Sequence, residues 1–442
     1  MSTELIMLIS MIILVVTITN GVPMPLVFAG SIIWIVLMKG LDPRIISTVG
    51  YASMSSYVLL AIPLFIIGGV LMARSRIGVC IIDWFDCFFG RIRGSMVFIT
   101  TCAFGVFSAI SGSGMAILGC LAPILYPRMI EKGYPKYPVA AMLACVTPLG
   151  LLFPPSITQV LFAWAANISV LTCFLSIIAP GAMVAVLIAI TSFVLVRRNS
   201  PDIVVTEKLE FPEWRKRTLK TTAVTLPGLI MPVIILGGIY SGVMTITESA
   251  AVAAVYALLI AVFLYKDIKF RDIPRVMSDA GVTSGLIMFG IFFIIPLSRL
   301  LLQEGVPQML LNALLSISDE RWVILMMINI FMIVFGMFLD DTCGVLIVAT
   351  LITPVMRGIG ISPYQFNAIV GVNFGFGLCT PPTAPFVFFT SRLTGVEVGG
   401  MFKYIFIIIL CAYIPTLIVT TYVPGFALWI PQMVMGDKFS MF

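Results

Sequence analysis

Histidine is absent from all 442 residues. Its absence excludes imidazole acid–base catalysis, histidine-ligated haem and the commonest zinc sites. Charge is scarce: Asp, Glu, Lys and Arg together make up 10% of the chain, against 60% hydrophobic residues. A soluble domain carries about a quarter charged residues, so this composition, with a mean hydropathy of +1.13, belongs to a polytopic all-α membrane protein embedded in a lipid bilayer. The nine cysteines never form Cys-x-x-Cys. They fall mostly in apolar runs, where they act as small hydrophobes. The N-terminus lacks a basic stretch and a small-residue cleavage site, so Leu5–Thr19 reads as a retained membrane segment. The net charge of +6 fits the Lys/Arg bias of cytoplasmic loops, and no nucleic-acid role is needed.

What the chain has is long apolar runs with polar breaks inside them. Leu5–Thr19 and Met24–Met38 are separated by Asn20-Gly21-Val22-Pro23. Ala52–Ala73 is long enough to span, about 20 residues being required, and Pro63 is expected to bend it. Ile77–Gly90 mixes Asp83 and Asp86 with aromatic residues, as a surface-lying helix would. Met96–Leu125 is interrupted by Ser111-Gly112-Ser113-Gly114, and Pro138–Ala165 by Pro148 and Pro154-Pro155-Ser156. Arg197–Lys220 reads as the main cytoplasmic loop, and Lys266–Arg275 as a second. Trp322–Met356 is interrupted at Asp340-Asp341-Thr342, and Phe366–Ser391 at Thr380-Pro381-Pro382-Thr383.

These interruptions repeat. Ile62-Pro63-Leu64 recurs as Ile295-Pro296-Leu297, and Phe104-Gly105-x-Phe107 as Phe335-Gly336-x-Phe338. Gly150 with Pro154-Pro155 recurs as Gly377 with Pro381-Pro382. The offset shrinks slowly along the chain, as a duplicated unit with small loop deletions gives. With both basic loops inside, the first interrupted pair has its ends in the cytoplasm and the second has its ends outside, so the copies are inverted.

Helices are not broken idly in hydrocarbon, where every backbone polar group needs a partner. A pair of re-entrant helical hairpins would expose free carbonyls and amides at the tips. Amides at a half-helix N-terminus favour anions, and carbonyls at a C-terminus favour cations. Ser111, Ser113 and Thr342 add hydroxyls, while Gly112, Gly114, Gly150, Gly344 and Gly377 allow close backbone approach. A carboxylate at this depth costs about 3 kcal/mol to insert, which makes Asp340 or Asp341 a candidate cation ligand. Paired interruptions in two halves are the sequence mark of a secondary transporter's binding site. An intramembrane aspartyl or serine protease is the competing class. Adjacent carboxylates seldom face one another, and a Ser–His dyad is impossible without histidine.

At these residues the chain resembles the large membrane (M) subunit of tripartite ATP-independent periplasmic (TRAP) transporters, in the ion-transporter superfamily. The similar stretches are Gly21–Pro23, Ala61–Phe65, Ser111–Ser113, Gly133-Tyr134, Leu149–Ser156, Gly237–Ala251, Gly336–Asp340, and Asn373 through Thr380–Pro382. The resemblance implies an elevator transporter of the bacterial inner membrane, in which a mobile domain slides against a scaffold and Na+ drives organic-acid uptake. Residues 1–50, 166–280 and 392–442 would supply scaffold helices. Residues 51–165 and 281–391 would supply the two halves of the transport domain, each with an interrupted hairpin. It implies a periplasmic substrate-binding protein (P subunit) that delivers a carboxylate such as a C4-dicarboxylate or sialic acid. It also implies a small four-helix membrane (Q) subunit, expected as a separate chain. Carried over position by position, one Na+ site would involve Ser111, Gly112, Ser113 and Gly150. The other would involve Asp340, Thr342, Gly344, Gly377 and Thr380. The family often has Thr where Pro148 stands, so Thr147 is the replacement candidate. It often has Pro where Asp341 stands, so Asp341 joins Asp340 as a candidate. Ser113, Pro155, Ser156, Asn373, Thr380, Pro382 and Thr383 are the substrate candidates. A stand-alone ion-coupled organic anion carrier is the alternative in the same class; neither reading is an enzyme.

Overall fold

The computed structural model describes residues 3–199 and 210–436. Among these residues every regular element is helical. The order is α1 (Thr3–Thr19), α2 (Met24–Lys39), α3 (Arg44–Met54), α4 (Ala61–Ala73), α5 (Ile77–Phe89), α6 (Met96–Ser111), α7 (Gly114–Glu131), α8 (Lys136–Val146), α9 (Leu149–Leu152), α10 (Ile157–Ala166) and α11 (Val170–Asn199). There follow α12 (Phe211–Tyr240), α13 (Ile246–Leu259), α14 (Ile273–Gln303), α15 (Val306–Ile317), α16 (Arg321–Gly336), α17 (Asp341–Gly358), α18 (Pro363–Gly377), α19 (Pro385–Thr394), α20 (Val398–Ile408), α21 (Ile414–Tyr422) and α22 (Pro424–Met435). Six helical stretches are long and apolar enough to cross a membrane, or eight if two bent pairs each count as one span.

The helices at the centre are those that carry the Pro-Pro breaks. Every residue from Pro138 to Val146 of α8 is buried, and so is most of α18. A helix apolar on all sides has no solvent face and belongs inside. The two copies pack reciprocally. The half-helix α10, after the first Pro-Pro break, lies on α17 of the second copy; α19, after the second break, lies on α7 of the first.

Local chemistry sets the helix ends. Thr245 and Glu248 form a capping box at the start of α13, the Thr245 amide donating to Glu248 Oε2 at 2.7 Å. Two amide donors that lack intrahelical acceptors are thereby satisfied reciprocally.

Two expectations are corrected. The span expected at Ala52–Ala73 bends, but not at Pro63. The chain turns by 64° between Arg44–Met54 and Tyr57–Ala73, at Ser55-Ser56. Pro63 sits in the first turn of α4, where its missing N–H has no intrahelical acceptor to lose. Arg197–Lys220 is not a loop throughout: α11 carries Arg197 and Arg198 in its last turn, and Arg215, Lys216, Arg217 and Lys220 ride on α12. Lys208 lies outside the described residues. After Val423 the chain continues as a further helix, α22.

Basic residues of separate segments gather at one end of the molecule. Arg217 reaches Asp86 Oδ2 at 3.1 Å, Arg128 reaches Asp83 at 2.6 Å, and Arg76 is bidentate to Asp267. Lys39 pairs with Glu304, between the C-terminal ends of α2 and α14.

The α3–α14 crossing depends on one glycine. A methyl on Gly50 would lie 2.7 Å from the Phe292 carbonyl oxygen and 2.8 Å from its ring. Gly285, also on α14, has nothing within 4 Å. Gly50→Ala should therefore lower the melting temperature in detergent by roughly 5 °C, whereas Gly285→Ala should leave it unchanged or raised. Equal effects would show that this contact does not hold the two helices.

Candidate functional site

The first interruption is a two-residue break. Helix α6 ends at Ser111, and Gly112 takes φ +64°, the left-handed cap that glycine reaches without strain. Ser113 is extended, and α7 starts at Gly114. The segment around the first Pro-Pro break folds onto this tip: the Ile157 amide donates to the Gly112 carbonyl at 3.3 Å. A methyl on Gly112 would fall 2.7 Å from the Pro155 carbonyl oxygen, and one on Gly150 would fall 2.5 Å from the Gly114 amide nitrogen. Thr147, Gly150, Pro155 and Ser156 are thus gathered around the tip. The hydroxyls of Ser111 and Ser156 are buried without a hydrogen-bond partner, and so is that of Ser108 one turn earlier. Thr147 instead donates its hydroxyl to the Leu143 carbonyl at 2.7 Å. Ser113 caps α7 by position, without a side-chain bond.

The second interruption is longer and more acidic. Helix α16 ends at Gly336, and Asp340 is extended at the N-cap of α17, its Oδ1 accepting from the Cys343 amide at 3.1 Å. Asp341 reaches across to the other copy, where its Oδ2 accepts from the Thr158 hydroxyl at 3.4 Å. The adjacent carboxylates therefore do different jobs. Thr342 is buried beside them. A methyl on Gly377 would lie 2.6 Å from the Gly336 carbonyl carbon, so the second break lies backbone against backbone on the end of α16. Thr383 donates to the Met337 carbonyl, and Thr380 to the Phe376 carbonyl at 2.9 Å. Gly344 packs otherwise: the Phe374 ring fills the space its side chain would take.

The four interruptions form one cluster. Besides Thr158 and Asp341, Phe386 of α19 would meet a methyl on Gly114 at 3.1 Å, and Pro148 would meet one on Gly375 at 3.1 Å. Both Pro-Pro peptide bonds are cis. The halves differ in cover: Pro154, Pro155 and Ser156 are buried, while Pro381 and Pro382 are exposed.

Asn373 is placed among different partners. Fully buried, it donates to Asn329 Oδ1 at 2.8 Å and to the Ile369 carbonyl, while Asn329 donates to Thr421 Oγ1 at 3.0 Å. This ladder ties α18 to α16 and α21. Sequence reasoning passed over Asn329, Thr421 and Thr158. An asparagine inside the apolar run of α16 was the available signal for the first.

The cluster offers oxygen donors: hydroxyls, carbonyls and two carboxylates. Among the described residues no group of three or more His, Cys, Asp or Glu side chains could hold a metal ion. Buried hydroxyls without partners beside helix-end carbonyls suit a hard cation, and the amides opening α7 and α17 suit a carboxylate.

Such an arrangement, on a frame of spanning and interrupted helices, is that of a membrane transporter. The fold is shared with the crystal structure of the YdaH transporter of Alcanivorax borkumensis, with a TM-score of 0.60 over 88% of this chain and 89% of that one, at 16% identity. The chain belongs to the family described as tripartite ATP-independent periplasmic transporter, DctM component, which its residues 8–426 match. It is 32% identical to the C4-dicarboxylate TRAP transporter large permease protein of Pseudomonas aeruginosa, over 85% of this chain and 86% of that protein. It is 26% identical to the sialic acid TRAP transporter large permease protein of Vibrio cholerae, over 86% and 88%. It is 29% identical to the isethionate TRAP transporter permease protein of Oleidesulfovibrio alaskensis, covering 86% of this chain and 59% of that one.

The two kinds of buried polar group separate in a stability test. Asn329→Leu removes a side chain bonded on both sides and leaves Asn373 short of a partner, so it should cost about 1–3 kcal/mol. Ser156→Ala removes an unpartnered hydroxyl and should be neutral or stabilising. Thermal unfolding in detergent checks both; a destabilised Ser156→Ala would mean that its hydroxyl is already satisfied.

Proposed function

We propose that this TRAP transporter subunit carries out Na+-coupled uptake of an organic acid across the bacterial inner membrane. A periplasmic binding protein delivers the solute, and a small membrane subunit accompanies the chain. The observation that carries this reading is the convergence of both interrupted helix pairs, with the Ser111 and Ser156 hydroxyls buried and unpaired at one of them. A coupling ion would draw on those hydroxyls and on nearby carbonyls at the first tip. At the second it would draw on the Asp340 carboxylate. The solute's carboxylate would meet half-helix amides and the Thr380 hydroxyl between the tips, where Pro381 and Pro382 are exposed. Relatives named for C4-dicarboxylates, sialic acid and isethionate support an organic acid as cargo.

The reading includes inverted copies acting as re-entrant hairpins, with the transport domain moving as an elevator against the scaffold. Reciprocal packing of α10 on α17 and α19 on α7 supports two copies related by a two-fold axis. Single cysteines introduced into a chain lacking its natural ones test the topology. Lys216→Cys should react with an impermeant maleimide only from the cytoplasmic side, and Ile317→Cys only from the periplasm. Labelling of both from one side would remove the inversion.

Asp340→Asn keeps a good N-cap residue and removes the charge. In proteoliposomes holding the small subunit, with the binding protein outside, it should weaken Na+-gradient-driven uptake at least tenfold, on the order of 1.4 kcal/mol. Membrane insertion should survive. Unchanged Na+ dependence would rule Asp340 out as an ion ligand, and uptake by wild type without the binding protein would favour a stand-alone carrier.

A further inference from the structure

A groove of about 730 Å³ runs between α6 and α11. Phe98, Cys102 and Val106 line it from α6, Ala185 and Val186 from α11, and Phe153 closes its inner end. The one hydroxyl in the lining, Thr101, is spent on the Val97 carbonyl at 3.0 Å. The groove follows α6 from Phe98 to Ala109, which is about 16 Å at a rise of 1.5 Å per residue. That is close to one leaflet's half of a hydrocarbon core about 30 Å thick.

The outer end of the groove is cationic. The Phe98 ring lies 5.2 Å from Phe193, and the Arg197 guanidinium stands 5.4 Å over that same Phe193 ring. Gly94 packs on the ring as well, a methyl there meeting it at 2.8 Å, which sets Arg93 at the rim. Arg93 and Arg197 are exposed, and among the described residues neither joins an ion pair. The same end of the molecule carries Arg91 over Trp214, and Arg128 and Arg217 on their carboxylates. A dry slot one leaflet long that ends at two guanidinium groups outside any ion pair matches an amphiphile with one anionic head.

We propose that this groove binds an anionic phospholipid of the leaflet at the molecule's basic end. One acyl chain lies between α6 and α11, and the phosphate lies against Arg93 and Arg197. The tail ends at Phe153, immediately before Pro154-Pro155, so the lipid borders the first interruption.

Native mass spectrometry of the full chain in detergent, titrated with phosphatidylglycerol or phosphatidylcholine, tests this. Wild type should retain phosphatidylglycerol about tenfold better, two basic residues each adding attraction for an anionic head. Val186→Trp, at an exposed position in the groove, should release both lipids. Arg93→Gln with Arg197→Gln, both at exposed positions, should erase the preference while the lipid-free melting temperature stays at the wild-type value. Equal retention of the two lipids by wild type would overturn the proposal, and so would a preference that survives the double glutamine variant. In a parallel run with the small membrane subunit bound, its loss from Val186→Trp with lipid retention unchanged would overturn it too, assigning the groove to that subunit.

Discussion

A broken helix in hydrocarbon leaves carbonyls and amides that water cannot reach, and the rest of this structure is arranged around covering them. The covering is done by backbone. The segment from Pro155 to Ile157 closes over Gly112, α9 presses Gly150 on Gly114, and Gly377 lies on Gly336. Side chains larger than hydrogen do not fit at 112, 150 or 377, so the glycines there answer to steric demand, joined at Gly112 by its left-handed φ. Once the ends are covered, the groups still unpaired are few. Those at the first tip are hydroxyls that an ion can use.

The halves are alike in construction and unlike in cover. At the first interruption the Pro-Pro segment is buried and the polar groups are hydroxyls. At the second it is exposed and the polar groups include two carboxylates. The first Pro-Pro segment is thus sealed within helices while the second reaches the surface. The elevator movement proposed for this chain would need such asymmetry in any one state. The carboxylates divide their work, Asp340 satisfying its own helix and Asp341 linking the copies through Thr158.

Much of this was legible in the sequence because hydropathy and glycine–proline punctuation are local signals. The breaks at residues 112–113 and before Asp340 could both be read from neighbours in the chain. The misses are non-local. Ser55-Ser56 bends the chain while Pro63 does not, because Pro63 falls in a first turn and α3 is held against α14 at Phe292. The basic stretch from Arg215 to Lys220 looked like a loop by charge, yet it rides on α12 with Trp214 anchored to the Cys87 carbonyl at 2.8 Å. The partners of Asn373, a solute candidate, were equally beyond local signals. Its amide partner, Asn329, lies 44 residues earlier in the chain and Thr421 lies 92 beyond that, distances no periodicity conveys.

The most direct measurement of the central claim is an electron cryo-microscopy map of the chain with its small membrane subunit, recorded in Na+ and in a large organic cation. The account requires helices interrupted at 112–113 and between Gly336 and Asp340, with α10 on α17. In the Na+ map it requires density within ligand reach of the Ser111 and Ser156 hydroxyls that the other map lacks. Continuous helices at those positions, tips held apart, or identical density in both maps would contradict it.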